Sequence, residues 1–279
     1  MVSTATPTVR RIDFEYPNDF DPRWHQRLPE FSCGANAVSM LMPHLEPVVA
    51  RAVRDALPPD DAELAERGSA YVRQETQHHR QHRQFNRILL NRYAGLAVLD
   101  RTLARILGLI DRHSSAPFAL AFATGFESVA YSAARWTAGR RHDLLTGADP
   151  VAATLFLWHL AEEVEHKSVA HDVWATTSGS RWRLIAGSVL AMALLAVTAL
   201  IGTLVMLVHE RRILHPLAHW RLLTWTFGLT FTMLPDVVAS WLPGHHPDNA
   251  ADPSWYQAWL AEYDASDGTM PLWEASLTA

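Results

Sequence analysis

The chain has 279 residues, 49% of them hydrophobic, and a formal net charge of −5. That length allows one large domain or two small ones around a buried core, and the mild acidity without a Lys/Arg stripe excludes a phosphate-neutralising nucleic-acid binder. The single cysteine, Cys33, excludes an internal disulfide and a thiolate-rich zinc site, so any metal must be held by carboxylates and imidazoles.

Residues 1–33 contain Pro and Asp without periodicity and read as an extended arm. The arm lacks the continuous apolar run of a secretory signal, which places the first half of the chain in the cytoplasm. From residue 34 helical periodicity dominates, and the expected fold is all-α. "GANAVSMLMPHLEPVVARAVRDAL" (34–57) is predicted as a first helix, interrupted or started late by Pro43 and Pro47. "PPDD" at 58–61 makes a turn with an N-cap, and the next helix runs from about 61 to 92. An apolar stretch over 95–112 is expected to cover one end of a bundle, and "SSAP" at 114–117 opens a helix to about 138. Asp149 caps, and Pro150 starts, the helix that carries "LWHLAEEVEHKSVAHDVW" (157–174). Residues 34–178 are thus expected to form a helical bundle.

Residues 179–245 are expected as a hydrophobic, membrane-associated helical hairpin. "LIAGSVLAMALLAVTALIGTLVMLV" (184–208) runs 25 residues without a charge, enough to span a ~30 Å hydrocarbon core at ~1.5 Å per residue. Arg181 and Arg183 before it and Arg211 and Arg212 after it give no orientation. The stretch 222–234 is too short to span alone and is expected to end at Pro235–Asp236, lying in the interface or against the first helix. The competing reading makes 184–208 the central helix of a soluble bundle. The tail over 246–279 holds one short aromatic helix (253–263), docked on the bundle.

Two of the predicted helices repeat one ionisable pattern. Glu163 and His166 are spaced i, i+3 with His159 on the same face; Glu75 and His78 repeat the spacing, with His82 seven residues after Glu75. Glu162 lies at the edge of its stripe, and Glu165, Lys167 and Asp172 lie off it, free to be solvated. Each of these helices follows one with an isolated carboxylate, Glu46 or Glu127. Glu127 is the only Asp, Glu, Lys or Arg between Arg112 and Arg135. A buried carboxylate is costly unless paired, protonated or bound to a cation. The order Glu46, Glu75-x-x-His78, Glu127, Glu163-x-x-His166 is that of a four-helix bundle with two metal ions in its core. Four carboxylates balance two divalent cations, with Fe favoured and Mn or Zn as alternatives.

"YVRQETQHHRQH" and "LWHLAEEVEHKSVAHDVW" resemble the two signature helices of the predicted metal-dependent hydrolases, a bacterial family with a ferritin-like di-metal pattern. The resemblance covers roughly residues 10–245. It maps Gln74, Glu75, His78 and His82 onto the first motif and Trp158, His159, Glu162, Glu163, Glu165, His166 and Lys167 onto the second. His171 stands where the family pattern has an aromatic, at an expected pocket wall. The resemblance implies the fold and the ligand set: a ferritin-like four-helix bundle with a di-metal core.

Three functions compete. The leading expectation is a membrane-associated di-iron oxidase or oxygenase taking O2, an apolar, lipid-like substrate and an external electron donor. Glu75 and Glu163 would bridge, Glu46 and Glu127 would be terminal ligands, and His78 and His166 the imidazoles. His82 and His159 would be further ligands or would orient carboxylates. The alternative is a hydrolase with a di-metal-activated water and Glu162 or His159 as general base. The third is a metal-binding or storage bundle. A charged helix face without metal is the plain reading against all three.

Overall fold

The computed structural model describes residues 5–10, 12–177, 179–266 and 269–273. Parts of the expected arm (1–4 and 11) and of the expected tail (267–268 and 274–279) lie outside the described residues. The protein is all-α, with no strand among the described residues; a single bridge between His25 and Ala148 ties the arm to the turn before the site-bearing helix.

The first helix, α1 (Pro29–Arg54), starts earlier than expected because Pro29 sits at its first turn, and it runs unbroken through Pro43 and Pro47. A helix-interior proline frees the carbonyl four residues back. The freed carbonyls are those of Ser39 and Pro43, and both are recovered by α2 (Ala62–Arg92). Asn86 Nδ2 donates to Ser39 O at 2.8 Å and His79 Nδ1 to Pro43 O at 3.0 Å. The prolines therefore do not break α1; they give α2 two fixed points along it, at Ser39 and Pro43, within the two turns before Glu46.

Asp61 caps α2 by accepting from Leu64 N at 3.0 Å. There follow α3 (Leu96–His113), α4 (Ala116–Trp136) and the short α5 (Arg141–Leu145). Asp149 caps α6 (Pro150–Glu165) through the amides of Val151 and Ala152. The segment 157–174 is not one helix as expected. It ends at Glu165, with His166 as C-cap at φ −106°, and resumes as α7 (Val169–Ala175).

The apolar segment 184–208 is the body of α8 (Arg181–His209), which packs along both α1 and α4. Small residues allow the close approach: a Cβ on Gly187 would lie 2.7 Å from Phe122 Cα, and one on Gly202 2.7 Å from Ala37 Cβ. One face is thus inside the bundle, while Val189, Val197, Leu200, Leu204 and Val208 stay exposed. The second apolar helix is longer than expected. As α9 (Pro216–Ser240) it continues through Pro235 and packs on α4 and α1. Both α8 and α9 are long and apolar enough to cross a membrane; a third of the most apolar stretch is buried in α8 and 6% in α9. The short helix α10 (Tyr256–Ala265) packs on α6.

Candidate metal centre

Four helices deliver the candidate ligands. Glu46 comes from α1, Glu75, His78 and His82 from α2, Glu127 from α4, and His159, Glu162, Glu163 and His166 from α6 and its cap. All are buried; the most accessible, His159, is 8% exposed. They form two groups, Glu46 with His78 and His159, and Glu75 with Glu127, Glu163 and His166, each with one ligand atom per residue within 4.8 Å of the others. Glu163 reaches both: Oε1 lies 2.8 Å from His159 Nε2 and 3.7 Å from His78 Nδ1, and Oε2 lies 3.1 Å from His166 Nε2. Glu75 Oε1 is likewise 3.8 Å from His78 Nδ1 and 3.3 Å from His166 Nε2. His82 joins neither group, because both its nitrogens are engaged elsewhere.

Hydrogen-bond partners fix how each imidazole faces the carboxylates. His166 Nδ1 meets the Gln74 Oε1 acceptor at 3.0 Å, so it carries the proton and turns Nε2 inward. His78 Nε2 donates to Glu162 Oε2 at 3.0 Å and turns Nδ1 inward. For His159 the assignment runs through a chain. Ser39 Oγ donates to Asn86 Oδ1 at 2.7 Å, so it accepts from His82 Nδ1 at 2.8 Å. His82 Nε2 is then bare and accepts from His159 Nδ1 at 2.6 Å, leaving His159 Nε2 turned toward Glu163 and Glu46. A carboxylate or imidazole presented to the same space by a partner on its far side is the arrangement that orients metal ligands.

Both oxygens of Glu46 and of Glu75, Glu127 Oε2 and His78 Nδ1 are buried without a hydrogen-bond partner. Burial pushes the Glu46, Glu75 and Glu127 carboxyls above the usual range, and the Glu163 charge adds to it. Burial also works against Glu163 and His166, but their mutual attraction outweighs it, holding Glu163 well below and His166 well above their ordinary values. Burial keeps His78 and His82 neutral, with neighbouring His159 adding to the effect. Such a group of unsatisfied oxygens and inward nitrogens is expensive by itself and fits hard divalent cations that take oxygen and imidazole.

Several charges expected in solvent are instead paired. Arg10 of the arm, 3% exposed, bonds Glu162 Oε1 at 3.0 Å and Glu165 Oε2 at 2.9 Å, and lies over the rings of Trp259 and Tyr263. Lys167 is buried and binds Asp252 at 2.6 Å, while Asp172 pairs with Arg67 and His246 at 2.8 Å each. Glu162, a candidate general base in the sequence, has both oxygens committed, to Arg10 and to His78. Burial pushes its carboxyl up to about 7 against the pull of Arg10. His171 does not line the centre; it packs against Trp174 and His246.

Other contributors went unread. Tyr71 donates to Glu127 Oε1 at 2.7 Å and lies one turn before Glu75, so helical spacing could have found it; so could Ser39, two turns before Glu46. Nothing local marks Arg10, which sits in an aperiodic arm strapped down by amides of α2 such as Gln84, 2.7 Å from Phe14 O.

A sequence family described as predicted metal-dependent hydrolase matches residues 8–251. No curated protein and no solved structure was found to match the chain.

Proposed function

Because this chain belongs to the predicted metal-dependent hydrolase family, we propose that its buried centre holds two divalent cations in a ferritin-like four-helix arrangement and hydrolyses an apolar ester. The observation that carries this reading is the convergence of four glutamates and three histidines from four helices, with carboxylate oxygens left unpartnered. Glu75 and Glu163 would serve both ions, with Glu46 and His78 holding one and Glu127 and His166 the other. Cations held this way acidify a bound water and polarise a carbonyl.

The chain's own groups supply the rest. His78 and His166 are kept in register by Glu162 and Gln74, and Tyr71 holds Glu127. His159 borders an apolar cavity, and its Nε2 accepts the proton of the attacking water while His82 holds Nδ1. The water oxygen adds to the carbonyl carbon, the carbon–oxygen bond breaks, and the alkoxide leaves with that proton as alcohol. The comparisons give the expected oxidase or oxygenase chemistry no support, and the family description favours hydrolysis. The exposed apolar faces of α8 and α9 support attachment to a membrane.

Metal analysis of the purified chain is expected to return about two ions, with ester turnover equal in air and under argon. The substitution His159→Gln is expected to keep both ions and lower turnover at least ~10²-fold. Turnover that requires O2 and a reductant would replace hydrolysis by oxygen chemistry, and a chain without stoichiometric metal would remove the centre altogether.

A further inference from the structure

A cavity of about 260 Å³ lies beside the centre. Its wall includes His159 and Glu163, then passes between α1 and α4 to Trp225 and Leu229 of α9. Apart from the ionisable groups at its margins the lining is apolar. The volume is a little below the ~300–1,000 Å³ usual for small-molecule sites, which suits a slender occupant better than a ring system.

Two further features bear on what fills it. Gly34 lies in the interior of α1, where glycine is less favourable than alanine. No close approach requires it: a Cβ at Gly34 would meet nothing within 4 Å, because the residue faces this cavity. The glycine therefore preserves space rather than contact. On the other side, α9 both lines the cavity and carries exposed apolar residues. Trp225 and Leu229 face inward, whereas Phe227 is 54% and Phe231 75% exposed.

From this we infer that the cavity takes one acyl chain of a lipid-like ester, which enters past α9 and brings its carbonyl to Glu163 and His159. The inference rests on the hydrolase reading of the centre and adds the substrate class. The alcohol part of the ester comes to the centre with the carbonyl, so the mostly apolar space suits the ester of a small alcohol better than one with a bulky headgroup. The chain has two sources, a bilayer under α8 and α9 or a monomeric amphiphile in water.

The test uses the metal-loaded full chain and cis-parinaric acid, a linear fluorescent acyl chain, given free in buffer or carried in phosphatidylcholine vesicles. Saturable binding near one probe per chain is expected in at least one arm, and the arm that responds identifies the source. Gly34→Phe, which fills the space, is expected to weaken binding at least tenfold; Ala133→Leu narrows it from α4 and serves if the first variant folds poorly. Metal content, measured on the same samples, is expected to stay at the wild-type value. Saturable binding unaffected by either substitution, or none in both arms, overturns the inference while leaving the metal reading intact. Loss of metal from the wild-type chain would instead fail the reading beneath it.

Discussion

At the scale of single residues, Glu163 has the most consequence, because its two oxygens face different histidines, His159 and His166. The mutual arrangement predicts unequal results from similar substitutions. Glu163→Gln is expected to lower metal content from about two ions to fewer than one, since both sites lose a shared charge. Glu127→Gln, whose carboxylate joins only one group, is expected to retain about one ion. Inductively coupled plasma mass spectrometry on both variants checks this, and equal losses would mean that Glu163 is not shared. The surrounding residues act through orientation: Glu162 and Gln74 are each bound to the far nitrogen of an inward-facing imidazole. Removing such a partner typically weakens metal binding about 10–100-fold without abolishing it.

At the scale of helices, the fit of α1 against its neighbours decides whether Glu46 reaches the centre. Pro43 and Pro47 would ordinarily be read as helix breakers, yet α2 satisfies the carbonyls they free. His79→Phe should therefore cost about 1 kcal/mol by leaving Pro43 O unpaired. In a Pro47→Ala background, where residue 47 regains its amide, that cost is expected to shrink. Urea unfolding of the four proteins forms the double-mutant cycle, and an unchanged cost would sever His79 from the proline. Glycines divide by the same reasoning. Gly187→Ala drives a methyl into Phe122 and is expected to destabilise by ~1–3 kcal/mol, the usual range for overpacking. Gly34→Ala meets open space and should stabilise by ~0.4–1 kcal/mol. Thermal melts of the two alanine variants should move in opposite directions.

At the scale of the whole molecule, one continuous packing joins the metal-bearing helices to the apolar ones, because α8 lies along α1 and α4 and α9 along α4. The buried side of this layer closes the core and cavity, and the other side carries exposed Val, Leu and Phe. A surface of this kind fits the membrane attachment proposed above. The paired substitution Phe227→Asp with Phe231→Asp, on adjacent turns of the outer face of α9, is expected to reduce co-flotation with phosphatidylcholine vesicles severalfold and leave metal content unchanged. Undiminished flotation would remove α9 from the membrane contact.

The sequence alone determined the helical class, the caps at Asp61 and Asp149, and the two Glu-x-x-His stripes, because each depends on spacing within one turn or a few turns of chain. Glu127 was legible for a related reason, being the one acidic residue on an apolar helix. The path of α1 through its prolines was not legible, since the compensating donors lie on another helix. Neither was the break at His166, nor the pairing of Glu162, Glu165, Lys167 and Asp172 with Arg10, Asp252, Arg67 and His246, all 74 or more residues away in the chain. Periodicity reports which face a side chain shares with its neighbours on the same helix. Which nitrogen of a histidine turns inward, which carboxylate faces two histidines, and where an empty space adjoins them depend on groups brought together only by packing.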